Sequence, residues 1–514
     1  MEDSNYIMKK KVWYSFAVVI FIIASVVIAV KCQAPSKEIK GSSSSIVTQW
    51  ITMTVNGYPI TMDFYNTGIW YDAVTLNTEF ETEITAGEFS GYTITVNGVE
   101  IKPNQTISLK LDTLKWDAGI EISATETDSG TVRTHYIRTL PSSCCDWDVL
   151  SDDPEDGYYY FNLNNAIYKM DTSGTIVFFK TVSSADVCNG GMDFKRTEVD
   201  GKVYYSYLTG YTPVEHPYMS GVGYGRMCAV VMNEHYEEID QIMSLLPTDD
   251  IPENYPLENH QFTILGEKHY IISSYIGKRV YNIPDTVSHS AQGTRVVACV
   301  LQEMKNGELL WSWDSTDYPE LYEYSVDGND FYNASTQWAD YAHFNAISVD
   351  PKDQNFLCSF RHLNCVLKLD RKTGDILWIL GGKGDQFGLT SDQTFSHQHD
   401  VKVTEDGGIT LFNNGNVGTD NSEGQTSIMK FYLDETSKSV VNFEEYLVEQ
   451  AFSPTMGSAT ELSSGHYVIG WGGRISASQN AAFSEIDFNT NKVLFEFVYP
   501  VGVSDPYRVY KFSK

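Results

Sequence analysis

A unit of two β-strands joined by a short turn occurs six times along the chain. Its copies begin at Ala166, Ala229, Val297, Cys365, Ile428 and Ala482. Measured between Ile176, Ile239, Leu309, Ile376, Val440 and Val493 in the second strands, successive copies are 63, 70, 67, 64 and 53 residues apart. This period is near what a four-stranded β-propeller blade with its loops requires. The repeat therefore predicts six blades.

Each copy follows another apolar strand, which is predicted to be the second strand of a blade. These strands are predicted at residues 158–161, 203–207, 270–274, 356–360, 409–412 and 467–471. The innermost strands of the later blades are predicted to start at His260, His343, His399 and Ser458. The first blade lacks such a strand locally. The C-terminal residues 507–512 are predicted to supply it, which closes the ring and removes its open sheet edges.

Three further segments precede the propeller. Residues 46–140 alternate apolar and polar side chains around Asn-Gly hairpin turns, which predicts a small β-sandwich. A basic segment precedes the apolar stretch 12–30, which is long enough to cross a membrane as a helix and also resembles a signal peptide. We therefore assign residues 1–34 to a signal peptide or membrane anchor, 35–45 to a linker and 145–514 to the propeller. The predicted fold class is all-β.

The N-terminal segment indicates where the protein is located, and the net charge limits which partners it can bind. Either form of this segment predicts an extracytoplasmic protein that is secreted, periplasmic or tethered to the outer face of the cell membrane through residues 12–30. The chain has 36 Lys and Arg against 67 Asp and Glu, a net charge of −31 that repels phosphate backbones and excludes nucleic acid as a partner. Its eight cysteines lack the spacing of a disulfide framework, so we assign no bridge. Cys358 and Cys365 are either a pair facing each other across one hairpin or two buried thiols.

Three histidines, His260, His343 and His399, are predicted to occupy one equivalent register at the start of three consecutive innermost strands. Imidazoles at one register face the same axis, which suits them to proton transfer or nucleophilic attack. Side chains alternate along a strand, so Asn345 is expected to share the channel face of His343, and His397 that of His399.

Arg361 follows directly after a second strand and is expected to reach the channel mouth as a permanently charged donor. Around it, successive motifs resemble those of bacterial arylsulfate sulfotransferases. They are DYAHFNA at 340–346, SFRH at 359–362, TGDILWILGG at 373–382, QH at 398–399 and LFNNG at 411–415. The resemblance is clear from about His260 to Arg474. Because that family joins an N-terminal β-sandwich to a six-bladed propeller, the resemblance implies the same architecture here.

The resemblance also implies an activity, the transfer of a sulfuryl group from an aryl sulfate donor to a phenolic acceptor without a nucleotide sulfate donor. It implies a ping-pong reaction through a sulfated His399, with Arg361, His260 and His343 acting on the sulfuryl oxygens or on the phenol proton. A neutral imidazole is nucleophilic near neutral pH, which agrees with this role. Asn345 and His397 are expected to contact the substrate. No cofactor and no metal are expected.

Several alternatives remain open. Relatives tend to have Thr where His397 stands, so this side chain is either an auxiliary acid or a histidine at a loop end. Residues 370–378 also resemble the repeat of quinoprotein-like propellers, many of which are binding scaffolds without catalysis. A metal ion held by histidines on the axis is a further alternative. Arg361, and the lack of an evident carboxylate beside the histidines, argue against it.

Overall fold

The computed structural model describes residues 50–55, 58–63, 69–75, 81–110, 120–141, 147–174, 176–184, 189–211, 219, 223–333, 337–419, 423–447, 451–474, 481–499 and 505–513. The described residues form two compact units, the first ending at residue 141 and the second starting at Trp147. The predicted signal or anchor segment and the linker lie outside them. No helix in the described part is long and apolar enough to cross a membrane.

The first unit contains two β-sheets. Its described strands are β1 (Trp50–Val55), β2 (Tyr58–Asp63), β3 (Ile69–Thr75), β4 (Glu81–Ala86), β5 (Tyr92–Val96), β6 (Val99–Ile101), β7 (Thr106–Lys110), β8 (Ile120–Glu126) and β9 (Val132–Pro141). The sheet orders are β2-β1-β4-β7 and β3-β9-β8-β5-β6. Buried side chains of both sheets, including Met53, Ile84, Ile94 and Ile122, form one core. Two sheets that share a core in this way make a β-sandwich.

The second unit is built almost entirely from short strands. Its described strands are β10 (Asp148–Ser151), β11 (Tyr158–Leu163), β12 (Ala166–Asp171), β13 (Ile176–Thr181), β14 (Met192–Val199), β15 (Lys202–Gly210), β16 (Met227–Met232), β17 (Glu238–Ile242), β18 (Thr263–Gly266), β19 (His269–Val280), β20 (Thr294–Lys305), β21 (Glu308–Asp314), β22 (Phe344–Val349), β23 (Phe356–Phe360), β24 (Cys365–Leu369), β25 (Ile376–Leu380), β26 (His399–Val403), β27 (Ile409–Asn413), β28 (Ser427–Asp434), β29 (Ser439–Leu447), β30 (Ser458–Glu461), β31 (Tyr467–Gly470), β32 (Ala481–Asp487), β33 (Lys492–Val498) and β34 (Val509–Phe512). The described helices are α1 (Glu320–Tyr324) and the 3-10 turns Ser315–Asp317, Arg361–Leu363 and Ser391–Gln393.

These strands form six antiparallel sheets among the described residues. The second to fifth sheets are β14 to β17, β18 to β21, β22 to β25 and β26 to β29, each in chain order. The sixth has β30 to β33 in order, with β10 added beside β33. The first has the order β13-β12-β11-β34, so the last strand of the chain pairs with β11. The predicted repeat unit, the second strands and the C-terminal strand of the first sheet are therefore confirmed.

Consecutive sheets pack face to face. Separate buried cores join the second sheet to the third, the third to the fourth, the fourth to the fifth and the fifth to the sixth. Tyr160 of the first sheet contacts Phe194 of the second, with ring centroids 5.6 Å apart. Tyr159 of the first sheet stacks on Phe495 of the sixth at 4.4 Å. The six sheets therefore pack in a closed series, and the four described cysteines lie buried and unbridged within it.

The innermost strands start with irregular backbone, and this changes which histidines correspond. The last paired residue of β22 is Val349, and His343 lies six residues before it. The last paired residue of β26 is Val403, and His399 lies only four residues before it. The predicted equal register of these two histidines is therefore wrong. His343 corresponds instead to His397, and both have a left-handed φ of 54°. A bulge follows in each strand, so the simple alternation behind the prediction does not hold.

Candidate active site

Four imidazoles form a continuous chain of ring contacts in the second unit. The ring centroids of His260 and His343 are 5.2 Å apart, those of His343 and His362 are 4.4 Å apart, and those of His362 and His397 are 6.3 Å apart. All four side chains are buried. The predicted residues His260, His343 and His397 are therefore brought together, with His362 as an additional member.

His260 is held by a carboxylate two residues before it. Glu258 Oε2 accepts hydrogen bonds from the His260 backbone N at 2.6 Å and from its Nδ1. The other oxygen of Glu258 accepts from Ser273 Oγ at 2.5 Å. A carboxylate oxygen accepts this hydrogen bond, so Nδ1 of His260 carries a hydrogen and its Nε2 is not used by Glu258.

His343 is held in the same way by Asp340, whose Oδ2 lies 2.6 Å from Nδ1. Burial raises the pKa of Asp340 to about 6, although the positive charge of Arg361 opposes the rise. Burial and the charge of Arg361 lower the pKa of His343 well below its usual value. Near neutral pH the imidazole is therefore neutral, with Nδ1–H donating to Asp340 and Nε2 free to accept a proton.

Arg361 starts the 3-10 turn after β23 and is buried. Its Nη1 donates to Nε2 of His362 at 2.8 Å, and its Nη2 donates to the Pro454 carbonyl at 3.3 Å. His362 Nδ1 donates to the backbone carbonyl of Asp340. Burial lowers the pKa of His362 to about 3. A neutral His362 therefore serves as an acceptor that fixes the guanidinium.

His397 pairs with Asp327, a residue of the loop between β21 and β22. The Oδ2 of Asp327 lies 3.3 Å from His397 Nε2 and 3.6 Å from both Arg361 Nη1 and His362 Nε2. Burial disfavours ionisation of Asp327, but the hydrogen bonds from His397 and the Gly328 backbone and the charge of Arg361 outweigh it and hold its pKa well below the usual value. Nε2 of His397 therefore carries the hydrogen. Its Nδ1 is buried and has no hydrogen-bond partner among the described residues.

His399 is the first residue of β26, and its ring orientation is fixed by an amide. Its Nδ1 lies 2.7 Å from Asn414 Oδ1 and 3.1 Å from the His397 carbonyl. The Nδ2 of Asn414 donates to the carbonyls of Ser453 at 2.6 Å and Met456 at 3.0 Å. Oδ1 of Asn414 must therefore face His399 as an acceptor. This leaves Nδ1 of His399 protonated and the lone pair on Nε2.

His399 also lies within electrostatic reach of the other groups. Burial lowers the pKa of His399 well below its usual value, and the positive charge of Arg361 lowers it further. The imidazole is 2% exposed. His399 is therefore neutral near pH 7 and shares one electrostatic environment with the three other residues predicted as catalytic.

Asn345 is fully buried in β22 and bonds away from the imidazole chain. Its Nδ2 donates to the Gln398 carbonyl at 2.7 Å, and its Oδ1 has no hydrogen-bond partner among the described residues. The amide ties β22 to the residue before His399. A substrate contact by Asn345 stays a prediction.

Five residues of this site were missed by sequence reasoning. They are Glu258, Asp327, Asp340, His362 and Asn414. Asp340, His362 and Asn414 lie inside the motifs that carried the family resemblance, so the motifs contained a usable signal. The expectation that no carboxylate stands beside the histidines is wrong, because each of His260, His343 and His397 has one.

Asp340, His343 and His362 offer ligand atoms within 4.8 Å of one another, which makes them a candidate metal-binding group among the described residues. Ligand atoms around one tetrahedral ion with bonds of about 2.1 Å lie about 3.4 Å apart. The Asp340 to His343 contact is closer, at 2.6 Å, and the Nε2 of His362 accepts from the Arg361 guanidinium. These residues satisfy one another by hydrogen bonds and do not fit a bound cation as arranged.

The arylsulfotransferase (ASST) family model matches residues 161–511. No curated protein sequence matches the chain. Similar solved structures include a protein of unknown function from Bacteroides caccae, with 12% identity, a TM-score of 0.37 and coverage of 70% of this chain and 100% of that one. Another is a chain of a nidogen/laminin complex, with 9% identity, a TM-score of 0.34 and coverage of 69% and 97%. Similarities this distant carry no argument about function. The family match spans well over half of the sequence, and the chain belongs to the arylsulfotransferase (ASST) family.

Proposed function

We propose that the second unit is a six-bladed β-propeller and that its histidine cluster moves a sulfuryl group from an aryl sulfate to a phenol. The closed series of six sheets and the pairing of β34 with β11 support the ring. Membership of the arylsulfotransferase family supports sulfotransferase chemistry. The substrates are then a small aryl sulfate donor and a phenolic acceptor, and no nucleotide sulfate is used.

The observation that carries this proposal is the hydrogen bond between His399 and Asn414. It leaves the lone pair of His399 on Nε2, while burial keeps the imidazole neutral. In the first half-reaction Nε2 attacks the sulfur of the donor, the S–N bond forms, and the bond from sulfur to the aryl oxygen breaks. In the second half-reaction the oxygen of the acceptor phenol attacks the same sulfur and the electron pair of the S–N bond returns to Nε2. The two half-reactions make a ping-pong cycle.

Arg361 is suited to the negative charge that spreads over the sulfuryl oxygens in both transition states. Its guanidinium is buried and fixed by His362, so it needs little reorganisation when the substrate arrives. Burial lowers the pKa of Arg361, with Asp327 and Asp340 opposing the shift, but an arginine remains charged throughout the working pH range.

His260 and His343 are suited to the proton of the aryl oxygen. Each donates Nδ1–H to a carboxylate and presents Nε2 as an acceptor. A phenol has a pKa of about 10, so it leaves more easily when protonated and attacks more easily when its proton is removed. One of these imidazoles takes the proton of the acceptor phenol on Nε2 and releases it to the aryl oxygen that departs in the next cycle, so protons balance over successive turnovers.

The test is turnover of a chromogenic aryl sulfate with and without a second phenol. We expect phenol release that depends on the acceptor, and a sulfo group on the peptide containing His399 after incubation with the donor alone. The variant His399→Ala should lose both. His466→Ala is the matched control. Nδ1 of His466 lies 3.4 Å from Glu485 Oε1, outside the histidine cluster, so this substitution should leave turnover intact. Release that survives His399→Ala overturns the mechanism, and a protein that binds the aryl sulfate without turnover is a binding scaffold.

We further propose that the protein works outside the cytoplasm. The basic segment followed by the apolar stretch 12–30 supports export, either as a cleaved signal or as an anchor. A reporter enzyme that is active only after export, fused after residue 45, should be active. An inactive fusion that is present at normal amounts would contradict the proposal.

A further inference from the structure

Arg508 directly precedes the closing strand β34, and its side chain makes contacts across the inner edges of the sheets. It is 1% exposed. Its Nη1 donates to Gln261 Oε1 at 2.9 Å and lies 3.3 Å from Asp193 Oδ1. Its Nη2 donates to the backbone carbonyl of Asn345 at 2.6 Å, and its Nε lies 3.6 Å from Asp400 Oδ1. One guanidinium therefore has four partners outside the first sheet, besides the hydroxyl of Tyr510, to which Nη1 donates at 3.2 Å.

These four partners belong to four different sheets. Asp193 lies in β14 of the second sheet, Gln261 precedes β18 of the third, Asn345 lies in β22 of the fourth and Asp400 lies in β26 of the fifth. Arg508 itself belongs to the first sheet. A single planar group that reaches the innermost strands of five sheets must lie near the point where those strands converge.

Three of these partners lie next to the histidines of the candidate active site. Gln261 follows His260, and Asp400 follows His399. Asn345 lies two residues after His343. A change in the position of the guanidinium therefore acts on all three histidine segments together.

The charges around Arg508 are arranged to hold it in place. Asp193 and Asp400, in the second and fifth sheets, each accept from a lysine two residues later, Lys195 at 2.5 Å and Lys402. Tyr510 adds a hydrogen bond from its hydroxyl to Asp193 Oδ1 at 2.6 Å. Asp193 lies near Nη1 and Asp400 lies near Nε, so two buried carboxylates hold the one guanidinium. Removing the guanidinium would leave both carboxylates with less compensation.

We propose that Arg508 is a positioning residue that sets the spacing of the segments carrying His260, His343 and His399. Its role in sulfuryl transfer rests on the proposed function, whereas its role in ordering the three segments does not. Displacing a reacting group by about 1 Å costs on the order of 100-fold in rate, so the effect of losing Arg508 should fall on kcat. The KM for the aryl sulfate should change little.

The experiment compares Arg508→Gln and Arg508→Lys with Lys511→Met. Lys511 is a matched control because it is also a buried cation, lies on the same strand, and pairs with Glu485 of the sixth sheet without contacting the histidine segments. Hydrogen exchange is measured on peptides covering residues 258–264, 343–349 and 398–403, and kcat and KM are measured with a chromogenic aryl sulfate and a phenol.

We expect Arg508→Gln to speed exchange in all three segments together by about tenfold or more, and to lower kcat on the order of 100-fold. Arg508→Lys keeps the positive charge but loses the planar set of donors, so it should also speed exchange in the three segments and lower kcat, by smaller factors. This variant tests the proposal if Arg508→Gln does not fold. Lys511→Met should leave the exchange of the three segments and kcat near wild-type values. Unchanged exchange in the three segments, or an equal loss of kcat in Lys511→Met, overturns the proposal. A wild-type protein that turns over no aryl sulfate overturns the proposed function instead, and the exchange data still decide the role of Arg508.

Discussion

Asn414 holds His399 in a single tautomer, with Oδ1 of the amide 2.7 Å from Nδ1 of the imidazole. The amide cannot rotate to present its nitrogen, because both hydrogens on Nδ2 are committed to the carbonyls of Ser453 and Met456. The backbone carbonyl of His397 lies 3.1 Å from the same Nδ1 and favours the same tautomer. Both acceptors therefore leave Nε2 as the nucleophile, and the amide makes the closer contact.

Replacing Asn414 should therefore slow the chemical step more than it weakens substrate binding. We expect Asn414→Ala to lower kcat by about 10- to 100-fold with little change in KM, because the Nε2 lone pair is then favoured only by the longer contact of Nδ1 to the His397 carbonyl. Asn414→Asp should place a negative charge beside His399, raise its pKa, and shift the loss of activity at low pH to higher pH. Steady-state kinetics between pH 5 and 8 checks both. Asn442→Ala on the exposed face of β29 is the control, and a wild-type pH profile in Asn414→Asp would contradict the prediction.

His362 should make the stability of the protein depend on pH below the usual histidine pKa. Its pKa is about 3 in the folded protein, so the unfolded chain takes up a proton between pH 6.5 and 3 that the folded chain does not. Folding stability should therefore be highest above pH 6.5 and fall as the pH decreases. In His362→Asn this contribution, about 1.4 kcal/mol per pH unit, should be missing between pH 6 and 4.

Denaturant unfolding of the two proteins at several pH values measures this difference in slope. The substitution His235→Asn, at an exposed position, should keep the wild-type slope. Parallel curves for wild type and His362→Asn would mean that His362 is protonated in the folded protein.

His397 should matter most when the leaving phenol is a strong base. The Nδ1 of His397 has no partner among the described residues, and Asp327 supports its Nε2, so Nδ1 can take a proton from an acceptor phenol and pass it to a departing one. This fits an auxiliary acid, one of the two interpretations that the sequence left open. We expect His397→Thr to lower kcat by about tenfold for a donor whose phenol has a pKa of about 10, and to have little effect when the phenol is much more acidic. A series of aryl sulfates with different leaving groups measures this. An equal loss for every donor would assign His397 a purely structural role.

The fold was predictable because its signals are local. Strand alternation and turn residues define each repeat, and the need to avoid an open edge pointed to the last residues as the missing strand. The register of the histidines was not predictable, because His343 and His397 adopt left-handed backbone ahead of a bulge. Such an irregularity shifts every side chain that precedes it relative to a regular strand.

The carboxylates of the site differ in how far they could have been predicted. Glu258 and Asp340 lie two and three residues before the histidines that they hold, so local spacing carried some information. Asp327 is 70 residues from His397 and comes from a loop with no motif. Only the packing of the fourth and fifth sheets brings this pair together. The hydrogen bond from Arg361 to a neutral His362 could not be predicted either, because His362 is neutral only through the burial that lowers its pKa.

Lys368 joins the fourth and fifth sheets through three carboxylates. Its Nζ lies 2.7 Å from Asp350 Oδ2, 2.8 Å from Asp353 Oδ2 and 2.7 Å from Glu435 Oε1, and its side chain is fully buried. We expect Lys368→Ala to destabilise the protein by about 2–3 kcal/mol, because three carboxylates then repel one another. This is below the usual cost of breaking a buried pair because two of them are partly exposed.

Calcium should restore part of this loss. The three carboxylates offer oxygen atoms within 4.8 Å of one another, and removal of the ammonium leaves space for a cation that prefers oxygen ligands. The Tm of Lys368→Ala should therefore rise with calcium at about 1 mM and above, while the Tm of the wild type should not. Lys430→Ala is the matched control, since Lys430 is equally buried but pairs with only Asp406 and Glu461. Two carboxylates provide too few ligands for calcium, so a similar rise in the Tm of Lys430→Ala or of the wild type would show that calcium acts elsewhere. An unchanged Tm of Lys368→Ala would show that the three carboxylates separate once the ammonium is gone.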